Sequence, residues 1–385
     1  MRTPPVDYAQ APFLIIWEST QACDLACRHC RASAQPARDP DELTTSEAED
    51  LLRQAADLGT PIVVVSGGDP LKRPDLFHLI RHGADLGLRM ATIPAATGLL
   101  TERVVRRLKE AGLSQMALSL DFPTAPLHDA FRGAPGAFDR TMQAVGWAHT
   151  HSLPLQINTT LCAESAPHLE AMVDLVRGLG VVFWEVFFLV PMGRGTSLGG
   201  LDASQCERLF GILDRAQTGA PFLLKVTEAP QFRRYVAERD REERGAAPAP
   251  LGPVRDLPAR LVRTEGPGQS IGLAPRAVNA GNGFLFVSHL GDVFPSGFLP
   301  IIAGNIRTQR LAGIYRNSGL FRRLRRPDML RGSCGACAYT AICGGSRARA
   351  YALTGDLLAS DPWCVYKPAL PATRPRSRPR KGAIP

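Results

Sequence analysis

No stretch of this 385-residue chain approaches the roughly 20 consecutive apolar residues needed to cross a bilayer. The opening residues, Met1 to Gln10, also lack the basic-then-apolar order of a secretory leader. These absences argue against a membrane-spanning or exported protein and lead us to expect a soluble, cytoplasmic one. In that reducing setting, nine cysteines stay as thiols for metal or redox chemistry instead of pairing. Nine in 385 residues are too few for a disulfide-stapled miniprotein. Nor is the composition extreme: 45% hydrophobic and 21% charged residues are ordinary globular values, and the length suits two domains.

Acid is missing from one region in particular. Lys plus Arg exceed Asp plus Glu by 45 − 36 = 9, and six basic residues follow the last acid, Asp361. From about Pro368 to Pro385, Pro alternates with Arg and offers little to bury, so 368–385 is expected to be a disordered basic tail. A short basic run attracts phosphate only non-specifically, so it implies no specific nucleic-acid or membrane partner.

Between Phe13 and Leu189, short apolar runs alternate with amphipathic stretches in βα steps. The runs are Phe13 to Trp17, Ile62 to Val65, Arg89 to Pro94, Met116 to Leu120, Leu155 to Thr159 and Val181 to Leu189. Thr44-Thr45-Ser46-Glu47 is a capping box opening a helix that Gly59 stops. Further helices are expected within 75–86, 101–111, 138–151 and 167–179. Six βα units fit either an open partial barrel or a doubly wound sheet. A charged, then Pro/Gly-rich stretch near 238–270 reads as a linker. Beyond it, Phe284 to Val287 and Val293-Phe294 flank a turn at His289 to Asp292, a hairpin signal.

Cys23, Cys27 and Cys30 form C-x3-C-x2-C just after the first strand. Three thiolates of one loop can each hold one iron of a cuboidal 4Fe-4S cluster, leaving the fourth iron open for chemistry. Two other readings stand beside it. The loop can bind zinc with His29 as fourth ligand, although adjacent His29 and Cys30 reach one metal with difficulty. The i, i+4, i+7 spacing also suits one face of a buried helix. The second strand ends in Ser66-Gly67-Gly68-Asp69-Pro70, where two residues without Cβ let a ligand lie against bare backbone.

Together, Trp17 to Cys30 and Ser66 to Pro70 resemble the start of radical S-adenosylmethionine (SAM) enzymes, a resemblance that extends over nearly all of residues 13 to 367. It implies a (β/α)6 partial TIM barrel over 13–195 whose open iron is chelated by the amino and carboxylate groups of SAM. An electron passed to the sulfonium then releases methionine and a 5′-deoxyadenosyl radical, which takes hydrogen from substrate. Gly67, Gly68 and Asp69 would hold the methionine amino group, with Asp standing where Glu is more frequent. Ser119 and Asp121 of Ser119-Leu120-Asp121, and Arg132, resemble segments lining the cofactor site, and Asn158 is placed to face the ribose. The reductant would be a low-potential carrier such as ferredoxin or flavodoxin.

A second group, Cys334, Cys337, Cys343 and Cys364, is spaced C-x2-C-x5-C-x20-C, a closed set suited to zinc or an iron-sulfur cluster. This region resembles the SPASM domain, which implies a Cys-rich unit over 271–367, joined by connecting helices and linker at 196–270. Ser296, and Ser346 with Arg347, stand where a second auxiliary cluster would need ligands, so one auxiliary 4Fe-4S cluster is expected. Cys162 and Cys206 read as packing residues, and a structural role is the default for His29 and His289.

The segments Phe294 to Pro300, Gly304 to Arg307 and Cys343 to Ala350 resemble radical enzymes of alternative haem and haem d1 synthesis. That implies a tetrapyrrole substrate altered at its propionates. Arg307, Arg310, Arg316, Arg322, Arg323, Arg325, Arg326 and Arg331 suit carboxylates, or form an exposed helix face. A peptide-modifying maturase and a non-catalytic zinc protein are the alternatives.

Overall fold

The computed structural model describes residues 6–246, 252–262, 271 and 273–368. Seven strands run parallel and in chain order: β1 (Leu14–Glu18), β2 (Ile62–Ser66), β3 (Arg89–Thr92), β4 (Gln115–Ser119), β5 (Leu155–Leu161), β6 (Phe183–Phe188) and β7 (Leu223–Thr227). A doubly wound sheet reverses its strand order at a switch point. Here the order never reverses, and the two end strands of the sheet do not pair, so the sheet is an open, barrel-like wrap.

The six expected units are present and the sheet is longer than they are. β7 falls inside 196–270, which reads as connection because Lys225 interrupts its apolar run. In the fold Lys225 lies opposite Glu185 of β6, and its Nζ reaches Glu185 Oε1 at 2.8 Å. At the other end β8 (Phe284–Val287) pairs parallel with β1, followed by antiparallel β9 (Asp292–Phe294) and β10 (Gly304–Asn305). The expected hairpin therefore continues the main sheet. Linker residues 247–251 and 263–270, and the tail from 369, lie outside the described residues.

The helices cover one face of the sheet. Thr44 and Glu47 exchange the bonds of the capping box at the start of helix Thr45–Asp57. Leu51 and Leu52 of that helix pack with Val63 and Val65 of β2, all buried. The alternate residues, Ile62 and Val64, face the interior instead. The interior positions of β1 end on Glu18, while β4 and β5 carry polar interior residues along their length, Gln115 and Ser119 on one and Gln156 and Asn158 on the other. C-terminal strand ends are where parallel sheets of this kind carry their sites. No helix among the described residues is long and apolar enough to cross a membrane.

The C-terminal segment is tied by two buried contacts to β1 and to the residues leading into it. Tyr315 Oη donates to Tyr8 O at 2.8 Å and accepts from Gly283 N. His289 Nδ1 lies 3.1 Å from Glu18 Oε1, with Asp39 Oδ2 3.8 Å from its other nitrogen. Burial pushes the His289 pKa down, but Glu18, with Glu42 and Asp39 behind it, outweighs burial and raises it. A raised histidine contributes stability that is full below its unfolded pKa and is lost as pH rises through the folded one. The thermal midpoint of wild type should therefore exceed that of His289→Gln by a margin that shrinks from pH 6 to pH 9. A pH-independent margin would contradict this linkage.

Candidate functional site

The loop after β1 carries the first three thiols and is held from four sides. It closes on itself through Cys23 N to Gln35 O (2.7 Å) and Gln35 N to Gln21 O (3.0 Å). From the end of β2, Gly68 N donates to Thr20 O (2.8 Å) and Asp69 N to Ala22 O (2.7 Å). From beyond β6, Arg194 N donates to Cys30 O (3.0 Å) and its Nε to Cys27 O (2.9 Å). Arg28 N donates to Phe131 O at 2.9 Å.

The glycines make this closeness possible. A Cβ on Gly67, whose φ is +149°, would lie 2.3 Å from Thr20 O, and one on Gly68 would lie 2.4 Å from Ala22 O. Their bare faces are covered by the backbone leading to Cys23, a different use from the ligand contact that the sequence suggests. The Asp69 carboxylate is likewise engaged inside the fold. It accepts from Leu71 N at 3.1 Å, Ala95 N at 3.3 Å and Thr97 Oγ1 at 3.2 Å, and burial raises its pKa.

Each of the three sulfurs receives one N–H donor. Leu25 N reaches Cys23 Sγ at 3.4 Å, Ala34 N reaches Cys30 Sγ at 3.4 Å and Arg132 Nη1 reaches Cys27 Sγ at 3.6 Å. Such donors favour the thiolate. Opposing them, burial first, and then the negative field of Asp69 and the other two thiols, pushes Cys23 up to about 11. Three ionised sulfurs here need a cationic metal group to compensate them. Arg132 also pairs with buried Asp121 at 2.7 Å, so it braces Cys27 against the end of β4. Ser119, the last residue of β4, lies opposite Asn158 of β5, and Asn158 Oδ1 accepts from Gln156 Nε2 at 2.7 Å.

His29 stacks on Phe131 at 4.6 Å between ring centroids, and desolvation pulls its pKa down to about 4. It is a packed, neutral ring. Cys162 and Cys206 are buried in apolar clusters. All nine cysteines are free thiols.

The second cysteine group lines one cavity of about 230 Å³ with all four of its side chains. Asp361 N and Arg347 Nη2 approach Cys334 Sγ at 3.5 and 3.7 Å, and Tyr339 N and Gly345 N donate to Cys337 and Cys343, both at 3.4 Å. Burial raises the pKa of Cys337 and Cys343, and that of Cys364 to about 11. Among the described residues no three His, Cys, Asp or Glu side chains converge to hold a single metal ion.

A second cavity occupies the barrel interior and is lined by Ala117 and Gln156, the inward residues preceding Ser119 and Asn158 on their strands. Its walls are mostly apolar, including Phe183, Phe187, Phe284 and Phe298, and it shares Gly345 with the auxiliary cavity. Ser296 and Ser346, both buried, meet on the half-buried Glu228 carboxyl in its wall. Glu228 has φ +57°, and burial raises its pKa. Neither Glu228 nor the Arg194 brace stands out in the sequence. The one local cue is Met192-Gly193-Arg194-Gly195, in which a Cβ on Gly193 would lie 2.3 Å from Arg31 O.

The arginine-rich stretch does not reach this cavity. Arg307 pairs with Glu47, Arg310 with Asp50 and Asp57, Arg326 with Asp328, and Arg331 with Asp356, on the exterior. Arg325 is spent on the carbonyls of Gly281, Ala9 and Tyr315. Of the two sequence readings, the exterior one holds, and the carboxylate-binding reading is corrected.

Residues 17–176 match the family model described as the radical SAM superfamily. The chain is 39% identical over 358 residues to the AdoMet-dependent heme synthase of Methanosarcina barkeri, covering 93% of this chain and 97% of that one. It is 28% identical to the pre-heme d1 synthase of Dinoroseobacter shibae, over 92% and 87% of the two chains. Among solved structures, Streptococcus suis SuiB bound to S-adenosylmethionine is similar in fold, with TM-score 0.70 and 17% identity over 93% of this chain and 78% of that one.

The backbone contact at Gly68 can be tested alone. Gly68→Ala should cost about 1–3 kcal/mol of stability through overpacking and lower the iron bound per chain after reconstitution. Gly146→Ala has nothing within 4 Å of the new methyl and should gain up to ~1 kcal/mol with iron unchanged. Denaturant midpoints and iron counts check both.

Proposed function

Because this chain belongs to the radical SAM superfamily, we propose that it uses SAM and a 4Fe-4S cluster to remove the carboxyl carbon of propionate side chains from a tetrapyrrole. The observation that carries this reading is the 39% identity to an AdoMet-dependent heme synthase over 93% of the chain. The interior supports it as well. Phe187 and Phe298, with ring centroids 6.3 Å apart, offer an aromatic wall suited to the face of a flat macrocycle.

In this proposal Cys23, Cys27 and Cys30 are the three protein ligands of the SAM-binding cluster. When bound, that cluster supplies the electron that cleaves the carbon–sulfur bond of SAM and yields the hydrogen-abstracting 5′-deoxyadenosyl radical. The carbonyls of Gly67 and Gly68 face the SAM ammonium, while the Asp69 side chain keeps that segment in shape. Ser119 and Asn158 orient the nucleoside at the rim. Arg132 acts through Cys27, holding its sulfur in place. Cys334, Cys337, Cys343 and Cys364 hold one auxiliary 4Fe-4S cluster, with no protein position left open on it. The work is done in the cytoplasm with electrons from a low-potential carrier such as ferredoxin or flavodoxin.

The test is anaerobic turnover of reconstituted protein with dithionite and SAM. An iron porphyrin bearing propionates should shift its Soret band on binding and accelerate 5′-deoxyadenosine formation, and Cys27→Ala should abolish that formation. If only a peptide accelerates it, the chain is a peptide maturase. About two zinc per chain without sulfide would instead leave a non-catalytic metal protein.

A further inference from the structure

Four cations line the interior cavity: Lys225, Arg233, Arg276 and Arg347. Three of them are committed elsewhere. Lys225 is paired with Glu185 at 2.8 Å. Arg347 spends its guanidinium on the carbonyls of Gly345, Leu357 and Ala359 and on Cys334 Sγ. Arg276 donates to Val6 O and lies over the Tyr8 ring, 4.8 Å from its centroid.

Arg233 differs. Its Nη1 donates to Asn279 Oδ1 at 2.9 Å and Ile342 O at 3.1 Å, and its Nη2 to Val278 O at 2.7 Å. All three acceptors are neutral. Among the described residues no carboxylate pairs with it, and Cys343, Tyr8 and Glu228 act on it only through their charge. Burial works against its charge. A cation half-buried without a carboxylate partner is costly, and a carboxylate arriving in the cavity would relieve that cost.

Resting on the tetrapyrrole reading, we propose that Arg233 receives a carboxylate of the substrate and sets which edge of the macrocycle lies against the auxiliary wall. The three carbonyls fix the guanidinium fork in advance, so little side-chain freedom is lost on binding. Asn279, which accepts from Arg233, also donates to Cys343 O at 2.9 Å. The carboxylate is thereby held at the wall that the two cavities share.

Anaerobic Soret titrations of the reconstituted full chain test this, using iron coproporphyrin as the free acid and as its tetramethyl ester. Arg233→Gln should weaken free-acid binding roughly ten- to hundredfold and ester binding far less. Arg233→Lys keeps the charge without the fork and should fall between. Iron and sulfide counts on each variant separate lost binding from a lost fold. If wild type binds neither porphyrin, the tetrapyrrole reading fails and takes this inference with it. If wild type prefers the acid and both Arg233 variants keep that preference in full, the tetrapyrrole reading stands and Arg233 is not the receptor.

Discussion

Two loops from neighbouring strands press backbone against backbone where Thr20 to Ala22 meet Gly67 and Gly68, and no side chain fits between them. That contact leads straight into Cys23, so the first thiol is placed by main-chain bonds instead of by flexible side-chain packing. Arg194 and Arg132 hold the rest of the loop from β6 and β4. Burial makes the Cys23 thiol reluctant to ionise. A metal group with several positive centres turns that reluctance into a strong, selective site, which explains why rigidity and burial occur together here.

Aromatic and aliphatic side chains make most of the inward wall, and the polar groups set among them, Gln115 with Gln156 and Glu185 with Lys225, satisfy one another. The C-terminal segment is part of the same body because β8 extends the sheet beside β1. Glu18 near the first thiol loop and His289 from the segment make one buried pair. Gly345 belongs to both the interior cavity and the auxiliary thiol cavity. The two cavities thus share a wall.

Some of this could be read before any fold was known. The thiol spacing, the Gly-Gly segment and the capping box at Thr44 are local, so their meaning survives without tertiary context. β7 was hidden because its inward Lys225 breaks the apolar run and is satisfied only by Glu185 on a strand nearly forty residues away. The pairing of β8 with β1 spans about 270 residues, beyond any periodicity argument. Composition drew attention to the arginines after 305, yet the cation that faces the cavity unpaired, Arg233, sits in a helix whose sequence looks merely charged. Glu228 adopts a left-handed conformation that nothing in its neighbours announces.

The central claim is that the loop of Cys23, Cys27 and Cys30 supports a cluster with one iron free to bind SAM. Mössbauer spectroscopy of 57Fe-reconstituted protein, in a variant with Cys334, Cys337, Cys343 and Cys364 replaced by Ser, addresses it directly. The account predicts one 4Fe-4S cluster per chain in which a single iron site changes its isomer shift when SAM is added. A spectrum with no cluster, or one that SAM leaves unchanged at all four irons, would contradict it.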